Sequence, residues 1–310
     1  MKKRLVLCWM LLLSCFAFGY TTIEKVNGVE YRFEYKDAPT RALSISHFTT
    51  EIMLKLGLAD HMIGTAFLEE EIDPSIKKEY QKVPVVAEKW PSIEKVILLH
   101  PDFVTGWEVA FKKGVDSKQL AKHGIPFFVP ESSMSFDANL DTLFEDYRRF
   151  GKIFGREKIV EGYIAEEKAR VEQIQKNIAN KKEFTYFLYD SGTDKAFTVF
   201  EGFTTNLLSL INGRNILSGK GVKKTWGQCS WEDVVIGNPD YFIIVDYSVG
   251  IREETDSDSK IAMIRNNPLL KNLDAVKNNK FIRVKLSEIC PGIRNVDFFE
   301  KVAKKVYNLD

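Results

Sequence analysis

An α/β chain of two similar lobes is predicted by three observations. After about residue 40, short apolar strands alternate with helices, the pattern of parallel sheets covered by helices. A twelve-residue segment beginning at Ser92 recurs at Ser230, at a constant offset of 138 residues. Between the two copies lies a long amphipathic segment, Glu157 to about Asn180.

The chain opens with a leader. Met1-Lys2-Lys3-Arg4 is basic, and Leu5 to Leu13 is apolar but too short for a membrane span. Two processing readings stand side by side. Ala17-Phe18-Gly19 supplies the small residues for cleavage before Tyr20, and Leu12-Leu13-Ser14-Cys15 reads as a lipobox that makes Cys15 the lipid-bearing residue. Either way the mature protein is expected outside the cytoplasm. Loss of the leader removes three basic residues and no acidic one, taking the formal charge from +1 to −2. No basic excess is left for nucleic acid or a membrane surface. Hydrophobic residues at 45% and charged ones at 28% fit a globular chain and argue against disorder. Beyond the leader only Cys229 and Cys290 remain, too few for a disulfide scaffold.

Ile23 to Phe33 reads as a hairpin turning at Asn27-Gly28. Strands are expected at Arg41–Ile45, Met62–Ala66, Phe103–Thr105 and Pro126–Val129, with helices at Thr49–Leu56, Ser92–Leu99, Ser117–His123 and Asp137–Phe154. Gly57 and Gly124 mark helix ends. The Glu157–Asn180 helix carries Val160, Ile164, Val171, Ile174 and Ile178 on one stripe. Its ~24 residues would cover roughly 36 Å, enough to bridge two lobes, although periodicity alone equally allows a surface helix. A second series follows: strand Phe184–Tyr189, helices Thr205–Ile211 and Trp231–Ile236, strand Tyr241–Val245, helix Asp256–Asn266, strand Phe281–Lys285 and helix Val296–Tyr307.

In the repeat, Ser92, Glu94, Val96, Pro101 and Asp102 correspond to Ser230, Glu232, Val234, Pro239 and Asp240. Both copies describe a Ser-capped helix, a Pro-Asp turn and a buried strand. Catalytic signatures are missing. No Gly-x-Ser-x-Gly elbow occurs, and Gly213 to Gly221 departs from a phosphate loop in spacing and in its final residue. His47, His61, His100 and His123 lack zinc-ligand spacing. Aromatic placement is more telling. Trp107 follows a strand, Trp90 and Trp226 precede the two repeated helices, Phe67 follows the strand ending at Ala66, and Tyr189 and Tyr247 follow strands of the second series. In open α/β sheets ligands bind beyond the carboxyl ends of strands, so these aromatics are candidates for a ligand pocket. Trp231, inside a helix, is expected to pack.

Arg41-Ala42-Leu43-Ser44-Ile45-Ser46 leading to Thr50-Glu51-Ile52, then Leu56-Gly57-Leu58-Ala59-Asp60-His61-Met62-Ile63-Gly64, resembles the opening of the helical-backbone solute-binding proteins of ABC importers. These serve ferric siderophores, haem and cobalamin. The two Ser-x-Glu helices and Gly213-Arg214-Asn215-Ile216 are similar to family features as well. The resemblance implies two lobes joined by one long helix with a ligand cleft between them. Expected boundaries are a signal peptide over 1–19, an N-terminal lobe over 20–154, a bridging helix over 155–182 and a C-terminal lobe over 183–310. It also implies a monomer, without cofactor, metal or catalytic residue of its own, that delivers a small ligand to an ABC permease dimer. Glu94 and Glu232 fall where one glutamate on each lobe docks into arginine pockets of the permease. Trp90, Trp107 and Trp226 fall near the pocket aromatics of the cobalamin-binding member. This chain has Ser46-His47 where relatives have Ser-Pro, so His47 either touches a metal chelate or caps the helix. Glu288 and Arg294 are expected to supply polar contacts after the last strand. Glu69-Glu70-Glu71 either faces the cleft, favouring a cationic or neutral ligand, or forms a solvated loop. The expected cargo is an iron chelate, a siderophore or haem; the alternatives are a corrinoid, or a sensor or enzyme reusing the fold.

Overall fold

The computed structural model describes residues 19–247 and 256–309. The leader, with Cys15, lies outside the described residues. The chain begins with an antiparallel hairpin of β1 (Tyr20–Val26) and β2 (Val29–Tyr35), with Val26 opposite Val29. Asn27 and Gly28 have φ of 53° and 74°, the two positive angles that a type I′ turn requires.

Next come β3 (Ala42–Ser44), α1 (His47–Lys55), β4 (Met62–Ala66), α2 (Lys77–Tyr80), β5 (Val85–Ala87), α3 (Ile93–Leu98), β6 (Phe103–Thr105), α4 (Ser117–Lys122) and β7 (Phe127–Phe128). The five strands β3 to β7 form one parallel sheet in the order β5-β4-β3-β6-β7. The chain builds outward from β3, then returns to lay β6 on its other side. Loops leaving β3 and β6 therefore diverge, and a crevice opens at their carboxyl ends.

Two long helices follow. The first, α5 (Leu140–Phe154), starts on a capping box, in which the Asn139 side chain accepts from the Thr142 amide, and ends at left-handed Gly155. The second, α6 (Glu157–Asn177), spans 21 residues, about 32 Å at the usual rise. Val160, Ile164, Val171, Ile174 and, just past its end, Ile178 are buried, as the expected stripe requires. This stripe packs on α5 and on the last helix of the chain.

The second half holds β8 (Phe184–Tyr189), β9 (Ala196–Val199), α7 (Phe203–Ser209), β10 (Gly213–Asn215), β11 (Trp226–Cys229), α8 (Trp231–Gly237), β12 (Tyr241–Val245), α9 (Ser257–Asn266), α10 (Asp274–Lys277), β13 (Phe281–Val284), α11 (Leu286–Ile289) and α12 (Asn295–Tyr307). A second parallel sheet runs β10-β8-β12-β13, with its switch point between β8 and β12. The architecture is thus α/β, with two parallel sheets linked through one long helix. The antiparallel pair β9–β11 was not expected from the sequence. Cys229 and Cys290 are buried in different core clusters and are not joined by a disulfide.

The repeat has a physical basis. Ser92 Oγ accepts from the Lys95 amide at 3.3 Å, and Ser230 Oγ from the Asp233 amide at 3.1 Å. Val96 and Val234 are buried. His100 and Asn238, at equivalent positions, are both left-handed, with φ of 49° and 39°. Asp102 accepts from the amides of Thr40 and Arg41, each at 2.8 Å. Asp240 accepts from the Thr185 amide at 2.7 Å and its hydroxyl at 2.8 Å. Each aspartate satisfies amides at or just before the start of the central strand beside it, β3 or β8, which lack a ladder partner there. Charged hydrogen bonds of this kind are worth roughly 1.5–3 kcal/mol. Asp102→Ala and Asp240→Ala should each lower unfolding free energy by about 1–2 kcal/mol in urea titrations, with ligand affinity of the folded protein unchanged.

Candidate functional site

Both crevices open into one cavity of about 480 Å3, walled by residues from each half of the chain. Three stacked aromatic pairs form most of its apolar wall. Phe48, in the first turn of α1 after β3, stacks on Trp107, two residues beyond β6, at 4.2 Å between centroids and 21° between planes. This pair stands at the switch point of the first sheet. Gly106 lets the two strands' exits approach, because a Cβ there would lie 2.7 Å from the Ile45 side chain. Phe67, directly after β4, stacks on Trp90 at 4.4 Å and 17°. Trp90 in turn lies so close to Gly114 that a Cβ there would meet the indole at 2.6 Å. From the second half, Phe197 of β9 stacks on Trp226 of β11 at 5.7 Å and 16°. Their register pairs Phe197 with Gln228, so Trp226 is its diagonal neighbour on the same face.

Phe67 has φ of 55°. A bulky side chain in the left-handed region costs on the order of 1–2 kcal/mol and persists only where its surroundings impose it. Here the strain turns the ring onto Trp90. The indole Nε1 atoms of Trp90 and Trp107 are buried and have no hydrogen-bond partner among the described residues. A buried donor left unpaired is costly, so each of these two groups carries a desolvation penalty within the described structure.

The charged lining is mostly acidic. Glu69, Glu108 and Asp190 line the cavity, with Lys113 as the one cationic lining residue among those described. Glu108 is paired with Lys112 at 2.7 Å. Asp190, at the switch point of the second sheet, accepts from the Tyr247 hydroxyl at 2.5 Å and the Ser191 hydroxyl at 2.8 Å. Of the three consecutive glutamates, only Glu71 is exposed. Glu69 faces the cavity, and Glu70 is buried and accepts from the Ser287 amide of the second half at 3.2 Å.

Several residues expected at the ligand do not line this cavity. Tyr189 is buried against Trp231, and its hydroxyl donates to the Gly192 carbonyl. As the last residue of β8 it points to the opposite face from Asp190. Tyr247 is buried behind Asp190 and positions that carboxylate. Glu288 accepts from the Lys285 amide and pairs with Lys301 at 2.9 Å, closing a helix end. Trp231 packs as expected, its indole donating to the Thr193 carbonyl at 2.7 Å.

His47 and Arg294 are instead parts of a buried clamp. Arg294, the cap of α12, donates Nε to Glu51 Oε2 at 3.0 Å, pairs through Nη2 with Glu51 Oε1, and donates to the Glu71 carbonyl at 2.7 Å. Glu51 also accepts from the Asp73 amide at 2.7 Å. His47 Nε2 lies 3.3 Å from Glu51 Oε1, an ion-pair distance, and neither ring nitrogen has a hydrogen-bond partner among the described residues. Burial alone would raise the Glu51 carboxyl pKa, but His47 and Arg294 outweigh it and hold it at about 2. Phe67, Trp90, Trp107 and Trp226 are brought together at the cavity. Phe48, Phe197 and Asp190 were missed.

The chain belongs to the periplasmic binding protein family, whose sequence profile matches residues 43–286. It is 43% identical to a periplasmic binding protein of Veillonella parvula DSM 2008, with a TM-score of 0.91 over 94% of this chain and 99% of that one. It is 26% identical over 282 residues to an uncharacterized ABC transporter substrate-binding lipoprotein of Bacillus subtilis, YvrC, covering 88% of this chain and 81% of that protein. It is also similar to the vitamin B12-binding protein of Photorhabdus laumondii, 27% identical over 210 residues, 67% of this chain and 71% of that protein. Among the described residues no helix is long and apolar enough to cross a membrane.

Removing Arg294 leaves Glu51 buried without its main partner, a change that typically costs about 3–5 kcal/mol, whereas replacing both partners by apolar groups is far milder. Arg294→Ala should therefore unfold at much lower urea than the Glu51→Met/Arg294→Met double variant. Because the folded pKa of Glu51 is depressed to about 2 from 4.5, its contribution is complete above pH ~4.5 and lost as pH falls toward 2. Urea midpoints of the wild type should drop across that window, and those of Glu51→Gln should drop less.

Proposed function

We propose that this chain captures a metal chelate without net negative charge outside the cytoplasm and hands it to an ABC permease. The observation that carries this reading is the lining: three stacked aromatic pairs and three carboxylates against one lysine, with no arginine or histidine among the described lining residues. Flat aromatic faces give contact area at low entropic cost. Haem is disfavoured, since it brings two propionates and an iron that takes axial ligands such as His, Met or Tyr, and none of those three lines the cavity among the described residues. Trianionic catecholate chelates meet the same carboxylates. A corrinoid, a large ring edged by uncharged amides, is the reading favoured here, and the likeness to a vitamin B12-binding protein supports it. An uncharged or cationic ferric chelate is the second reading, favoured by the same charge balance.

Lobes of residues 20–154 and 183–310 would then close on the ligand about α6 with a small motion, because a continuous helix resists bending. The resemblance to a substrate-binding lipoprotein favours lipidation at Cys15 over cleavage after Gly19. Glu94 and Glu232 serve as docking charges. Both are exposed in the first turns of equivalent helices. Hydrogen bonding from its own amide and from Ser92 holds the Glu94 carboxyl below the usual range, so it stays ionised.

Tryptophan quenching should order the ligands cyanocobalamin, then ferrioxamine B, with haemin and ferric enterobactin at least tenfold weaker. Preferred binding of either anionic chelate would reject the charge argument. Glu94→Lys/Glu232→Lys should bind ligand normally, with an unchanged melting temperature, and should fail in uptake of labelled ligand by cells. Normal uptake by this variant at equal expression would remove the docking role.

A further inference from the structure

The two most exposed large hydrophobic side chains among the described residues are Leu98, at 76%, and Ile236, at 79%. They are not scattered. Leu98 lies in α3 and Ile236 in α8, and they are separated by the same 138 residues that relate the two copies of the repeat. A single exposed leucine needs no explanation. Two aliphatics at equivalent positions of two related helices do, because nothing in the fold of either helix calls for them. The core-facing residue of each helix is already supplied by Val96 or Val234. Other exposed hydrophobics, such as Phe136 and Ile159, have no such counterpart.

Their spacing adds a second observation. Leu98 follows Glu94 by four residues, and Ile236 follows Glu232 by four. Side chains at i and i+4 lie one above the other on the same helix face. Each half of the molecule therefore presents a carboxylate with an aliphatic side chain one turn farther along. Asp233 and Lys95, which follow the glutamates, are engaged elsewhere: Asp233 bonds Ser230, and Lys95 bonds the Val86 carbonyl.

We infer that Leu98 and Ile236 are the apolar anchors of the docking surface, fitting a partner with two-fold symmetry that offers, twice, an apolar socket beside a basic group. The inference rests on the permease reading of Glu94 and Glu232 and extends it. The glutamates steer and register the encounter, an effect that salt screens. The aliphatics supply desolvated contact, which salt does not screen. The partner is thus a permease dimer whose outer face carries paired apolar pockets, not a purely ionic surface.

The test uses the full chain and its cognate ABC permease–ATPase complex in nanodiscs, with affinity measured at 50 and 500 mM NaCl. Burying one such side chain contributes on the order of tenfold in affinity. Leu98→Ser and Ile236→Ser should each bind about tenfold more weakly and the double variant about a hundredfold, by the same factor at both salt concentrations. Ligand quenching and melting temperature should not move. Glu94→Gln/Glu232→Gln should show a defect that shrinks at high salt. If the double serine variant binds within twofold of wild type while the glutamine variant is weak, the inference falls and the docking role of the glutamates stands. Wild type that does not bind the permease at all overturns both. A wild-type dimer in solution that the serine changes convert to monomer overturns the inference in favour of self-association.

Discussion

The cavity depends on one buried carboxylate. Glu51 sits in α1 one turn behind Phe48, and it is reached by Arg294 from the far end of the chain and by the Asp73 amide from the loop after β4. Stripping a carboxylate of water costs several kcal/mol, and only good geometry repays it. That geometry ties three segments at once. It fixes α1, and with it the Phe48 face of the Phe48–Trp107 stack. It fixes the stretch from Phe67 to Asp73 that carries Phe67 and Glu69. It fixes the start of α12, which packs on α6. Glu70 adds a second tie in the same loop through the Ser287 amide. The two halves are therefore joined through buried polar contacts close to the cavity wall, as well as through the long helix.

Around this clamp the aromatic wall is built under constraint. Phe67 holds a left-handed backbone. Gly114 gives way to Trp90, and Gly106 to the crossing of the strand exits. The segment that carries Gly114 is a turn of π-helix, Ala110–Gly114, an irregularity that recurs at functional sites. The first sheet adds register shifts of its own, at Ala42/Leu43 where β3 meets β4 and at Thr65/Ala66 where β4 meets β5, the latter directly before Phe67. A fold whose strands and helices are generic can afford strain only where the rest over-determines it.

Much of the architecture was legible in the sequence because periodicity reports burial. The α6 stripe, the Asn27-Gly28 turn and the repeat all state which side faces inward. The site was legible only in part, for a reason of register. Strand side chains alternate, so a shift of one residue reverses the face. Tyr189 and Asp190 are neighbours at the end of β8, and only Asp190 lines the cavity. Residue type favoured the tyrosine; the pleat selected the aspartate. Tyr247 then serves the site at one remove by holding Asp190. His47 and Arg294 fall outside the cavity lining for a different reason. Polar residues near a pocket look like ligand contacts in sequence; the i,i+4 spacing of His47 and Glu51 on α1 was readable, but nothing local shows that Arg294, 243 positions from Glu51, will join them. Trp107 and Trp226, singled out by their loop positions, do line the cavity, while their stacking partners Phe48 and Phe197 looked like ordinary core residues.

Ligand wall and outer surface are also linked along the chain. Trp90 lines the cavity, and eight residues later Leu98 is exposed; the same short segment carries Glu94 between them. In the second half Trp226 lines the cavity and Glu232 and Ile236 follow on α8, with Cys229 and Trp231 anchoring the intervening turn in the core. In each half, then, fewer than a dozen residues join an indole of the cavity wall to the exposed face of α3 or α8. The Phe48–Trp107 pair stands apart from both segments: its Phe48 side rides on α1, which the Glu51 clamp ties to Arg294 and to the loop after β4.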